Sequence, residues 1–67
     1  MKILLNGESI EIAPNMTLTQ LLALRGLSQS KGIAIACNED VIHRTQWMHT
    51  TLQDGDRVEI LQATAGG

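Results

Sequence analysis

At 67 residues the chain is long enough for one small domain and too short to enclose a deep catalytic cleft of its own. Apolar residues make up 43%, too many for a disordered chain, and with no Phe, no Tyr and one Trp the core has to be Leu, Ile and Val. The net charge is −2, and Lys2, Arg25, Lys31, Arg44 and Arg57 are scattered, which argues against nucleic acid as the main partner. One cysteine cannot form an internal disulfide, nothing resembles a secretory signal and no apolar run reaches spanning length. The expected setting is a reducing cytoplasm, with no membrane partner.

The first element is a short strand, Lys2-Ile3-Leu4-Leu5, with Ile3 and Leu5 on one face and Leu4 on the other. Asn6-Gly7 follows, the strongest two-residue hairpin signal, because both residues accept positive φ. Ile10-Glu11-Ile12 returns with both isoleucines on one face, and Ala13-Pro14-Asn15 ends the hairpin, since Pro14 has no N–H for a ladder. Thr17 opens a helix, and Gln20 three positions on fits a capping box. Leu18, Leu21 and Leu22 form its apolar stripe, Leu24 flanks it, and Gly26 closes the helix at about Arg25.

Ser28 to Gly32 reads as a polar loop. Ile33-Ala34-Ile35-Ala36-Cys37 is an almost wholly apolar strand, expected to be covered on both faces or close to it. Asn38-Glu39-Asp40 turns the chain into a short strand, Val41-Ile42-His43, and a helical turn holding Trp47 is expected within Arg44 to Thr50. Gln53-Asp54-Gly55-Asp56 is a tight turn, and the last strand runs from Arg57 to Ala63. A helix after a hairpin must cover one sheet face to hide its leucines. The last strand pairs beside the first at the centre. The fold class is therefore α+β, a β-grasp: a mixed four- to five-stranded sheet with one main helix on one face.

Residues 64–67, Thr64-Ala65-Gly66-Gly67, form a tail on the end of that strand. Two terminal glycines make it thin and free to bend, so it can enter a slot too narrow for side chains and present its carboxylate there. Ordinary fraying is the plain alternative for such a tail. Other chemistry-bearing residues read as structural. Cys37, in an apolar strand, is a small buried hydrophobe before it is a reactive thiol. His43 and His49 are six apart, neither a helical pair nor a zinc-finger spacing, so no metal site is expected. Asp54 and Asp56 lack the other ligands of a calcium loop and fit turn chemistry. Trp47 plugs one end of the core rather than anchoring an interface. Leu61, Ala63 and the outer sheet face are the candidates for partner contact.

The chain resembles the ubiquitin-like sulfur carriers, most closely the ThiS type of thiamine (thiazole) biosynthesis. The likeness is carried by Asn6-Gly7, Thr17-Leu18 with Leu21-Leu22, Ala36-Cys37-Asn38 where the family usually reads Ala-Val-Asn, Arg44-x-x-Trp47, Leu52-x-Asp54-Gly55-Asp56-x-Val58-Glu59-Ile60, and Gly66-Gly67. It covers essentially the whole chain. His43 departs from a frequent Pro, and Ala63-Thr64-Ala65 from the commoner Pro- or Val-containing approach to the glycines.

The resemblance implies a protein-bound co-substrate rather than an enzyme. An E1-like adenylyltransferase using ATP and Mg²⁺ activates the Gly67 carboxylate. Sulfur supplied through a cysteine desulfurase converts it to a thiocarboxylate, and thiazole synthase receives the sulfur. Thr64, Ala65 and Gly66 are the partner-binding tail. No cofactor belongs to this chain; ATP and Mg²⁺ belong to the activating partner. A carrier for another pathway (the small subunit of molybdopterin synthase is one) and a ubiquitin-like modifier would share the tail, and an interaction module with an idle tail is the remaining reading. A β-grasp ferredoxin is excluded by the single cysteine.

Overall fold

Local signals become local structure where the sequence places them. The computed structural model describes residues 1–63, in the order β1 (Lys2–Leu5), β2 (Glu8–Glu11), α1 (Leu18–Leu24), β3 (Ile33–Cys37), β4 (Asp40–Ile42), a 3-10 helix (Arg44–His49) and β5 (Arg57–Gln62). Asn6 and Gly7 both take positive φ, +50° and +82°, so Leu5 pairs with Glu8 across a two-residue turn. Asn38 and Glu39 repeat the device between β3 and β4, with φ of +51° and +75°.

Helix α1 is capped at both ends. Gln20 N donates to Thr17 Oγ1 and Thr17 N donates to Gln20 Oε1, at 3.2 and 2.9 Å, which completes the expected capping box. At the other end Leu27 N donates to Leu22 O and Gly26 N to Ala23 O, a Schellman closure that needs the +74° φ of Gly26. Seven residues of helix are too few to be stable alone, so burial of the stripe holds it. Leu18 and Leu21 have no exposed surface, and each contributes about 1.5–3 kcal/mol of apolar burial.

The strands form one mixed sheet in the order β2-β1-β5-β3-β4. β1 and β5 are parallel and every other pair is antiparallel, so the last strand lies at the centre beside the first. Ile3, Leu5, Ile35, Val58 and Ile60 send their side chains to the face covered by α1, where Ile12, Trp47 and Leu52 complete the core. This is the β-grasp.

Three expectations are corrected in detail. β3 is not covered on both faces: Ile33, Ile35 and Cys37 are buried, while Ala34 is exposed and Ala36 half-exposed. One helix can cover only one side of a sheet, and alanine is small enough to stand on either. β4 begins at Asp40 and stops at Ile42, leaving His43 outside it as the residue before the 3-10 helix. β5 ends at Gln62 rather than Ala63. The tail, Thr64 to Gly67, lies outside the described residues.

Candidate functional site

The described part of the site is the root from which residues 64–67 continue. β5 is held there from both sides. On the β1 side the parallel ladder includes Leu4 N donating to Asp56 O and Asn6 N to Val58 O, both 2.9 Å. β1 then turns away, and the Asn6 carboxamide takes over. Its Oδ1 accepts from Ile60 N at 2.8 Å and its Nδ2 donates to Ile60 O at 3.2 Å. One side chain thus extends the ladder by a rung that the backbone has vacated. On the other side β5 pairs with β3 from Val58 opposite Cys37 to Gln62 opposite Ile33. The last anchor is Ala63 N donating to Gly32 O at 2.9 Å.

The start of β5 is fixed by carboxylates and a second amide. Asp54 Oδ1 accepts from Lys2 N, and Asp56 Oδ2 accepts from Gln53 N, both at 2.8 Å. Asn38 donates to Asp56 Oδ1 and accepts from Arg57 N, both at 2.9 Å. The two aspartates are turn-builders, as their spacing indicated: each spends one oxygen on a backbone N–H, and Asp56 gives its other to the Asn38 amide. Arg57 also reaches Glu39 at 3.0 Å, but both side chains are exposed and the pair adds little.

The outer sheet face has no covering element among the described residues. Leu4 and Leu61 line a shallow hollow on it with Asn6, Gly7, Arg57 and Glu59. Ala34 lies beside Leu61 in register and Val41 beside Ala36. Leu61 is 67% exposed and Val41 78%. The exposed apolar residues are thus spread over four strands of this face, with Leu61 at the tail end of β5 beyond the outward-facing Arg57 and Glu59. Leu61 and Ala63, the candidates for partner contact, are both exposed.

Cys37 and Trp47, read as core residues, are both buried. Cys37 is buried, and desolvation first, then the nearby Asp56 carboxylate, pushes its thiol above the ordinary range, which makes it a poor nucleophile. Trp47 is buried against the core, its Nε1 donates to Ile42 O at 2.9 Å, and the Arg44 guanidinium lies 5.2 Å from its ring centre. His43 and His49 are exposed, and no group of three His, Cys, Asp or Glu side chains converges among the described residues. The N-terminal ammonium lies 2.8 Å from Glu11 and holds its carboxyl below the usual range.

Sequence reasoning placed Asn6, Asn38 and Gly32 in turns and a loop and missed that the two asparagines grip β5 and Gly32 the residue that follows it. The available signal was asparagine in tight turns next to the outer strands, a residue able to bond backbone at a distance while its own φ is positive.

A mixed five-stranded sheet clasping one helix, with its central last strand leading directly into the final residues, defines a ubiquitin-like β-grasp protein. Residues 3–67 match the ThiS family. The sulfur carrier protein ThiS of Escherichia coli (strain K12) is 36% identical over 67 residues, covering both chains completely. The crystal structure of the thiamine biosynthesis protein (ThiS) from Geobacter metallireducens superposes with a TM-score of 0.85 at 30% identity, again over all of both chains. A thiazole synthase of Paramagnetospirillum magneticum (strain ATCC 700264 / AMB-1) carries a stretch 30% identical to the whole of this chain, which spans 20% of that protein. The chain belongs to the ThiS family and is a sulfur carrier of thiamine biosynthesis, not a catalyst.

Proposed function

We propose that the Gly67 carboxylate is the group that is loaded with sulfur, and that Thr64, Ala65 and Gly66 are the segment threaded into partner sites. What carries the reading is membership of a sulfur-carrier family together with a central strand, paired on both sides, that ends five residues before Gly67 in the sequence. A carboxylate is a poor electrophile. A partner adenylyltransferase of the E1-like class therefore joins a carboxylate oxygen to the α-phosphorus of ATP and releases pyrophosphate, using its own Mg²⁺. The sulfur of a persulfide, charged by a cysteine desulfurase, attacks the acyl carbon and expels AMP. A second thiol then takes the S–S bond by disulfide exchange, leaving the thiocarboxylate. This chain supplies the acyl group and its presentation, and holds no cofactor of its own.

Thiazole synthase is the proposed acceptor. In Paramagnetospirillum magneticum a segment like this chain is part of a protein of that name, which supports a working contact between carrier and synthase. The outer sheet face that exposes Leu4, Leu61, Ala34 and Val41 is the proposed docking face. The reducing cytoplasm is the proposed setting, since both persulfide and thiocarboxylate need thiol exchange.

The test is intact-mass spectrometry after incubation with activating enzyme, ATP and sulfur donor. Wild type gains the mass difference of one oxygen exchanged for sulfur. A variant with Ala added after Gly67, or with Gly66→Leu, stays unmodified while its unfolding curve is unchanged. Modification of either variant refutes the assignment of the tail as the reactive element.

A further inference from the structure

Gly32 stands directly against the root of the tail. Its φ is +73°, and a Cβ built on it would come within 3.2 Å of Ala63 Cβ and 3.6 Å of Ala63 N and O. Its carbonyl accepts the last backbone hydrogen bond of the described chain, from Ala63 N at 2.9 Å. The other three described glycines with positive φ, Gly7, Gly26 and Gly55, have nothing within 4 Å of such a Cβ. Gly32 is thus singled out by a neighbour, and that neighbour is the residue on which the tail begins.

We infer that Gly32 is a positioning residue for the activation of Gly67: its carbonyl and its missing side chain together set where and at what angle the tail leaves the sheet. This rests on the activation proposed above. A partner that grips both the outer sheet face and the tail meets the two on either side of Ala63. Only four residues lie between Ala63 and the end of this sequence, about 14 Å at full extension, so Ala63 sets the point from which the acyl group has to reach. An alanine at position 32 forces Ala63 to move by a few tenths of an ångström. That displacement shifts the point from which the acyl group is presented, and misplacing a reacting group costs rate, roughly 100-fold for a full ~1 Å and less for a smaller shift.

The test is steady-state adenylation of the full-length carrier by its activating enzyme, read as ATP–pyrophosphate exchange, on proteins shown to be folded by Trp47 fluorescence. Gly32→Ala lowers kcat by about 10-fold with KM changed less than about 2-fold, because the docking face is intact. Gly26→Ala, which suffers the same positive-φ strain with open space around it, keeps wild-type kcat at a similar loss of stability. A double-mutant cycle supplies the second readout: in an Ala63→Gly background, Gly32→Ala has no further effect on kcat. If Gly32→Ala does not fold, a semisynthetic chain joined at Cys37 with lactate in place of Ala63 deletes the N–H that Gly32 accepts, and its kcat falls.

The inference is overturned if Gly32→Ala matches Gly26→Ala in kcat, if its cost persists undiminished in the Ala63→Gly background, or if the lactate chain exchanges at the wild-type rate. Failure of the wild-type chain to support any exchange refutes the activation reading itself and is distinct from these.

Discussion

Removing the Asn6 side chain removes a rung of the sheet. In Asn6→Ala, Ile60 N–H and C=O lose partners at 2.8 and 3.2 Å, and Ile60 is only 8% exposed. Two hydrogen bonds at about 1 kcal/mol each account for about 2 kcal/mol. Alanine must also adopt the +50° φ that asparagine tolerates, which adds about 1 kcal/mol. The total, about 3 kcal/mol, is set against a stability of roughly 3–10 kcal/mol for a chain of this length. At about 4–8 °C per kcal/mol the melting temperature falls by roughly 12–24 °C. Trp47, the sole tryptophan, reports the transition by its fluorescence. Asn6→Gly isolates the hydrogen bonds, since glycine takes the same φ freely, and is expected to cost about 2 kcal/mol. For comparison, Arg57→Ala, which removes the exposed pair with Glu39, costs no more than about 1 kcal/mol. A loss below about 1 kcal/mol in Asn6→Ala, or an Asn6→Gly protein as stable as wild type, refutes the claim that this amide holds β5.

Further expectations rest on other parts of the fold. Leu18→Ala opens a cavity beneath a fully buried position and costs about 2–5 kcal/mol by urea unfolding, enough to leave much of the population unfolded at physiological temperature. Leu61→Asp leaves the melting temperature within the range of an ordinary surface change, about 0.5 kcal/mol, and weakens docking to the activating enzyme, seen as a raised KM. The Cys37 thiol is raised in the folded state by burial, so the folded chain holds that proton more tightly than the unfolded one. The resulting stability is fully present below the unfolded thiol pKa of about 8.5 and is lost as pH climbs from there toward the folded value. Cys37→Ala removes this alkaline decline in a pH series of melts. Glu11 has the opposite sign: its lowered carboxyl contributes above the ordinary carboxylate range and loses that contribution as pH falls, a slope that Glu11→Gln abolishes.

How much was legible follows the distance over which each cause acts. The Asn6-Gly7 turn, the Thr17–Gln20 box and the Gly26 closure depend on the φ preferences and hydrogen-bonding reach of a few adjacent residues, so the amino-acid sequence alone determined them. The stripe of Leu18, Leu21 and Leu22 and the alternation of Ile3 and Leu5 likewise announced which face of each element turns inward. Together with the closing glycines they were enough for the β-grasp and the carrier resemblance.

The rest belongs to the folded chain. The apolar run of β3 reads the same whether one sheet face or both are covered, because alanine tolerates either; only the presence of a single main helix decides it. Asn6 reaches Ile60 across 54 residues of sequence, and Asn38 reaches Asp56 across 18. Gly32 meets Ala63 only once β3 and β5 are in register. Residues this far apart leave no periodic trace in one sequence, since their contact energy is realised only after the loops between them have closed.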